Sequence, residues 1–258
     1  MIDTPGFDDD ARSDVEILEQ LAEWMAEQGH VRKKQLDGII LLQPVTAHRV
    51  GGSERKRMRL LKNILGEDAY KHVIIATTMW EQIRDKNDMQ ERLDGRRHDL
   101  WGDMMARGTE IVKHENNPQS AQNIIRMIIA MTKTHGKLKP LLQSELMKNP
   151  AVVESTAGKY TKRQLEEKIK LAMRELEAHK KMRPPKPQSH QKTPSEESSR
   201  ARIRLREWQD EKKELEGTLD MLQYRLKRLN SLSVSCGPLF LPVRYLPRYL
   251  HTQRQVHF

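Results

Sequence analysis

The sequence predicts an α/β protein with a helical extension. Two short apolar runs, 38–45 (GIILLQPV) and 72–78 (HVIIATT), lack the alternation of a half-exposed strand, as strands covered on both faces do. Amphipathic helical patterns separate these runs, the order that a parallel sheet requires. From residue 159 onward the apolar residues recur at spacings of three and four, the helical period.

Each element follows from its own pattern. Residues 14–28 place Val15, Leu18, Leu21, Ala22 and Met25 on one helical stripe, with Ser13 as the expected N-cap. Pro44 and Thr46 end the first strand. Residues 53–65 read as a helix capped by Ser53, and 94–107 as a further helix. Ile111 and Val112 form a short third strand that runs out at Asn116-Asn117-Pro118. Residues 119–133 make a strongly apolar helix with Ser120 as its cap. In the second half, Leu165, Ile169, Ala172 and Leu176 mark a helix over 159–182. The Pro- and Ser-rich stretch 183–199 has no apolar period and reads as a linker. Leu205, Trp208, Leu215, Leu219, Leu222, Leu226 and Leu229 then follow a heptad alternation broken only at Lys212, a coiled-coil seam over 200–230. That seam fits a helix hairpin as well as pairing between chains. The tail, 231–258, is basic, has no clear period, and is expected to be disordered.

Composition bounds the function. The chain has 258 residues with 46 Lys+Arg and 36 Asp+Glu, a net charge of +10. Its apolar share of 36% is low against the roughly 45–50% of compact domains. The charge is split: residues 1–135 hold 20 Lys+Arg and 22 Asp+Glu, whereas 136–258 hold 26 and 14. No apolar run approaches the ~20 residues that span a bilayer, and the opening Met1-Ile2-Asp3 has no signal-peptide pattern. A single cysteine, Cys236, excludes an internal disulfide and a cysteine-based zinc site, so a reducing, cytoplasmic setting is expected.

In open α/β sheets, ligands bind at the carboxyl ends of strands, so the residues just after each strand are the candidates. Asp3-Thr4-Pro5-Gly6 follows Ile2, and Asp-x-x-Gly is how P-loop GTPases finish the strand beneath the γ-phosphate; alone, the pattern also fits a simple turn. Phe7-Asp8-Asp9, a helix, a strand, Gly51-Gly52-Ser53, and a strand ending Thr77-Thr78-Met79-Trp80 follow in order. This ordered set resembles the P-loop GTPase superfamily, in particular its septin-like and immunity-associated-nucleotide branch, and is similar to a group of fungal G-domain proteins. The resemblance covers residues 1 to about 133 and implies the carboxyl-terminal part of a G domain over 1–135, with helical residues 136–182 appended.

The resemblance implies GTP or GDP as ligand, with Mg²⁺. Asp3 would hold Mg²⁺ through a water, and Gly6 would offer its N–H to the γ-phosphate. Thr78, Met79 and Glu81 stand in the guanine-recognition motif, where Lys and Asp are usual at the last two positions. Met can cover an aromatic face without charge. Glu is one methylene longer than Asp, a displacement that costs on the order of 1–3 kcal/mol in a bidentate contact. Asn116 and Asn117 resemble the Asn pair that closes over the base; as plain residues they also read as a helix-starting turn. Asp85-Lys86-Asn87-Asp88 imitates the guanine motif but lies too far beyond its strand, and reads as a solvated charge run.

No G-x-x-x-x-G-K-[ST] occurs in the chain. In the family that loop precedes Asp-x-x-Gly, so the simplest expectation is a product read from an internal methionine, with an unpaired sheet edge where the P-loop strand would sit. Asp3 alone is expected to hold Mg-GTP weakly. Phe7 stands where many GTPases carry the water-positioning Gln, so GTP hydrolysis is an expectation of the family only. Arg55, Lys56, Arg57 and Arg59 read as a solvated helix face, and His48 and His114 as loop histidines.

The alternative function is a non-catalytic scaffold that assembles into homo- or hetero-oligomers through the G domain or the coiled coil. The cations of the second half are interleaved with Glu, which argues against a nucleic-acid arm. A peripheral membrane role has no sequence support of its own.

Overall fold

The computed structural model describes residues 2–4, 13–28, 35–46, 50–83, 85–182 and 194–234. Three strands, β1 (Ile39–Pro44), β2 (Val73–Thr78) and β3 (Glu110–Lys113), form one parallel sheet in the order β1-β2-β3. Ile39 lies opposite Val73 and Ile74 opposite Glu110, so the carboxyl ends of all three strands share one edge of the layer. The protein is therefore α/β, as expected. β2 is buried on both faces; β1 is an edge strand, and Leu42 within it is 63% exposed, unlike the doubly covered strand that its apolar run implied. Ile2–Thr4 are exposed and in no strand.

Helices α1 (Asp14–Ala26) and α2 (Gly52–Leu65) precede β2; α3 (Lys86–Arg96), a π-helical turn (Arg97–Trp101) and α4 (Gly102–Met105) lie between β2 and β3. The single helix expected over 94–107 is thus composite. Helices α5 (Pro118–His135), α6 (Leu141–Lys148), α7 (Thr156–Lys181) and α8 (Pro194–Ser231) complete the chain, and α6 has no counterpart in the sequence reading. Ser13 caps α1 as expected: its hydroxyl accepts from the Glu16 N–H, and the Glu16 carboxylate accepts from the Ser13 N–H. Two other caps differ. Gly51, not Ser53, precedes α2 without a side-chain cap, and Asn117, not Ser120, caps α5 by accepting from the Ser120 N–H at 2.8 Å.

The sheet carries a helix layer on each face. On one side α5 packs Ile124, Ile128 and Met131 against Ile74 and Ala76. On the other, Met58, Leu61 and Leu65 of α2 join Leu100, Trp101 and Met104 against Val73 and Ile75. The opposite stripe of α2, Leu60 and Ile64, faces a second core built from α1, α6, α7 and α8. Helix α2 is thus shared by both cores, and α1 packs with the helical extension instead of the sheet. The boundary expected near residue 135 does not divide the packing.

Helices α7 and α8 form an antiparallel hairpin. His179 near the end of α7 stacks on Trp208 of α8, while Val152 just before α7 donates its N–H to the Leu232 carbonyl at 3.1 Å. Leu222 and Leu229 are buried in the shared core, with Leu219 and Leu226 packed on it. Of the two pairings that the seam allows, the structure uses the one within the chain. Helix α8 starts at Pro194, inside the expected linker. The tail is ordered at its beginning, where Ser233 bridges Ala151 and Val234 donates to the Pro150 carbonyl at 3.0 Å. Residues 183–193 and 235–258 lie outside the described residues. No described helix is long and apolar enough to cross a membrane.

Candidate functional site

The carboxyl edge of the sheet is built from three short connections. After β1, Val45 is buried and donates its N–H to the Thr78 carbonyl at 3.1 Å, which ties the first connection to the second. After β2, Met79 adopts a left-handed conformation with φ 65° and is 40% exposed. A 3₁₀ turn, Trp80–Gln82, follows it. The turn directs Trp80 down among Val45, Ile83, Met89 and Leu93, and leaves Glu81 exposed above. The Trp80 indole donates to the Thr77 carbonyl, and the Lys113 ammonium stands 5.8 Å from the ring centroid, within cation–π reach.

After β3, the His114 N–H donates to the Thr77 carbonyl at 2.8 Å, so this connection too is pinned to β2. The His114 Nδ1 lies 2.7 Å from the Ser120 hydroxyl, which also accepts from the Glu115 N–H. Asn116 then turns through φ 54° and is exposed. His114 is therefore a structural partner of the α5 entrance, not the free loop histidine expected. His48 lies outside the described residues.

Of the residues singled out from sequence, the structure brings Thr78, Met79, Glu81, Asn116 and Asn117 to one rim. Thr78 is half-buried, and its carbonyl is taken by Val45. The Asn117 carboxamide oxygen is engaged in capping α5. Met79, Glu81 and Asn116 present exposed side chains. Asp85, in the imitation motif, is exposed and caps α3 by accepting from the Asn87 N–H at 2.8 Å.

Asp3 is exposed and outside regular structure, and Gly6 lies outside the described residues. Mg²⁺ takes near-octahedral oxygen coordination from carboxylates, phosphates and waters. Among the described residues no group of three or more His, Cys, Asp or Glu is placed to hold a metal ion. Of the donors that the resemblance implies, Asp3 alone is described, as one exposed carboxylate.

A polar cluster beside the rim was not foreseen. Arg96 is buried, with its Nε 3.4 Å from the Glu54 carboxylate. The Gln43 amide, at the end of β1, donates to the same carboxylate at 2.9 Å. Arg92 donates to the carbonyls of Val45 and Thr46. These contacts lock the β1 connection, α2 and α3 together. On the outer face of α2, Arg55 pairs with Asp99 at 2.5 Å, and the Tyr160 hydroxyl donates to the Lys56 carbonyl. That face is in part a docking surface for its neighbours.

No protein-family model matches the chain, and no curated protein matches it.

Proposed function

We propose that the chain carries the base-recognising part of a guanine-nucleotide (GTP or GDP) binding domain, packed against an intramolecular coiled-coil hairpin. One observation carries this reading. At the carboxyl ends of two adjacent parallel strands the chain turns through a left-handed residue, Met79 after β2 and Asn116 after β3, and both side chains are exposed on the same rim with Glu81. Open α/β sheets take their ligands at this edge. The left-handed conformation costs a residue with a side chain about 1–2 kcal/mol, and such strain gathers at binding loops.

The proposed roles follow from the side chains. The Met79 thioether covers one face of the base, and the Glu81 carboxylate accepts from the two N–H groups of guanine. The Asn116 carboxamide closes the opposite side. Asn117 drops out, because its oxygen is spent on the cap. No hydrolytic step and no Mg²⁺ step is part of the proposal.

The test is a titration of the isotopically labelled full chain with GDP and with ADP to millimolar concentration, read by amide chemical shifts. GDP is expected to move the amides of 78–82 and 114–117, ADP to move them less, and Glu81→Lys to abolish the difference. Equal responses to both nucleotides, or none in either segment, would overturn the reading.

The scaffold reading has one observation in its favour: Leu171, Met173, Met221 and Tyr224 are exposed on the hairpin. Association through Leu222 and Leu229 is not part of it, because these residues are covered within the chain. Light scattering of the full chain separates the two, since the nucleotide reading needs no oligomer.

A further inference from the structure

The positive charge of this protein is concentrated in one stretch of its sequence. Residues 178–206 hold nine Lys+Arg and two Asp+Glu, a net of +7 within a chain of +10. The hairpin brings both flanks of this segment to the same end. His179 stacks on Trp208 with ring centroids 4.9 Å apart, so the last turn of α7 and the part of α8 before Trp208 share the tip. The other end of the hairpin is docked: Arg228 pairs with Glu16 and Glu19 of α1, and Leu229 is buried. At 1.5 Å per residue, the length of α7 puts the tip about 35 Å from that base.

Most of the exposed side chains described at the tip are cationic or aliphatic, with Glu207 the acid beside Trp208. Lys180, Lys181, Arg202, Arg204 and Arg206 are cationic and exposed. Between them stand Met182 and Ile203, 62% and 57% exposed, and Leu205. Lys181 has an intrahelical partner in Glu177 at 2.8 Å, and His179 faces Glu211 of α8 at 3.4 Å.

Cations alone suit any polyanion. Aliphatic side chains among them discriminate. Single-stranded nucleic acid is gripped by aromatic stacking, and duplexes by phosphate contacts in which an exposed Ile or Met takes no part. A bilayer surface uses both kinds: cations meet anionic headgroups, and aliphatic chains enter the headgroup–acyl boundary. We infer that the tip of the α7–α8 hairpin is a docking site for an anionic lipid bilayer, with Lys180, Lys181, Arg202, Arg204 and Arg206 facing the headgroups and Met182 and Ile203 entering the interface. The site is independent of whether the sheet binds a nucleotide. Its position at the far end of a long hairpin holds the α/β layer away from the lipid.

The experiment is flotation of the full chain with vesicles of phosphatidylcholine alone and of phosphatidylcholine with 30% phosphatidylserine. Binding to the serine-containing vesicles is expected to exceed binding to neutral ones by at least tenfold and to fall as salt is raised. The variant K180E/K181E/R202E/R204E/R206E is expected to lose flotation, since each cation near such a surface is worth about fivefold. Ile203→Ser, at an exposed position that leaves the fold intact, is expected to weaken binding severalfold without changing its salt dependence. Should the charge variant lose its helical circular dichroism, the salt titration and Ile203→Ser decide. Equal flotation with both vesicles, or wild-type flotation by Ile203→Ser, overturns the inference. So does tighter binding to a 30-mer duplex or single strand than to anionic vesicles.

Discussion

Trp80 folds back on its own strand, and its indole Nε1 donates to the carbonyl oxygen of Thr77 at 2.9 Å, with the Thr77 hydroxyl 3.2 Å away. The same carbonyl accepts the His114 N–H from the next connection. One main-chain oxygen thus fixes the floor of the rim from two sides. Trp80→Ala removes a buried ring from the cluster of Val45, Ile83, Met89 and Leu93 and should cost about 3–5 kcal/mol. Trp80→Phe keeps the packing and leaves the Thr77 carbonyl with its His114 donor, so it should cost about 1–2 kcal/mol. Urea denaturation followed by circular dichroism checks both. Equal costs would mean that the indole donor, not the ring, dominates.

Arg96 is 1% exposed and meets the Glu54 carboxylate, which also receives the Gln43 amide. Removing one partner of a buried ion pair costs about 3–5 kcal/mol. Glu54→Gln should therefore be far more damaging than a surface change. The double variant E54L/R96M should be less destabilised than the sum of E54L and R96M. Strict additivity in that cycle would show that the two side chains do not interact.

Gly158 sits in the first turn of α7, where Gly→Ala ordinarily gains about 1 kcal/mol. Here the sign should reverse. A Cβ at Gly158 would run into the Val152 carbonyl oxygen and lie 2.8 Å from its carbon. That close approach is held by Ser155, whose hydroxyl donates to the Val152 carbonyl and accepts the Gly158 N–H. Gly158→Ala should destabilise by about 1–3 kcal/mol, as overpacking does, whereas Gly217→Ala, which meets nothing, should stabilise. Thermal unfolding of the two variants side by side decides.

His72 is buried just before β2, with the His135 ring 5.9 Å away in edge-on contact. Burial, and then the charges of Lys71 and His135, push its imidazole below the ordinary value. The folded state thus favours the neutral ring, and the unfolded chain binds the proton first as pH falls. The stability that His72 contributes is present above the ordinary imidazole value of 6.5 and is lost as pH drops from there through the depressed folded value. The melting temperature should fall between pH 7.5 and 5.5, and His72→Phe should flatten that fall. An unchanged slope would remove His72 as the cause.

The layout of the sheet was legible because its strands are short, apolar and separated by helices. The fate of β1 was less so. Its sequence is as apolar as that of β2, but position in the sheet, not composition, decides how much of Leu42 is covered. Caps were legible where side chain and backbone cooperate, as at Ser13-x-x-Glu16. They were misplaced where two candidates stand within one turn, as with Asn117 and Ser120, because a single hydrogen bond separates the choices. The rim was found through motif spacing. The Arg96–Glu54 pair was not, because charged residues in a helix give no signal of burial until their long-range partners are known. The heptad seam announced that it would be buried but not by what: α1 and α7 fill it, from positions far apart in the sequence.

That last arrangement sets an order of events during synthesis. Helix α1 leaves the ribosome before the elements it packs on: its apolar stripe rests on α6, α7 and α8, and Glu16 meets Arg228 some two hundred residues later. Contacts of such separation close slowly, because a long loop must be restrained before they return any energy. The sheet and α5 can assemble while α1 still waits as an unprotected amphipathic segment. Nascent chains stalled before residue 200 should therefore expose Leu18 and Ala22 to holding chaperones, and release should come only when α8 has emerged to cover them.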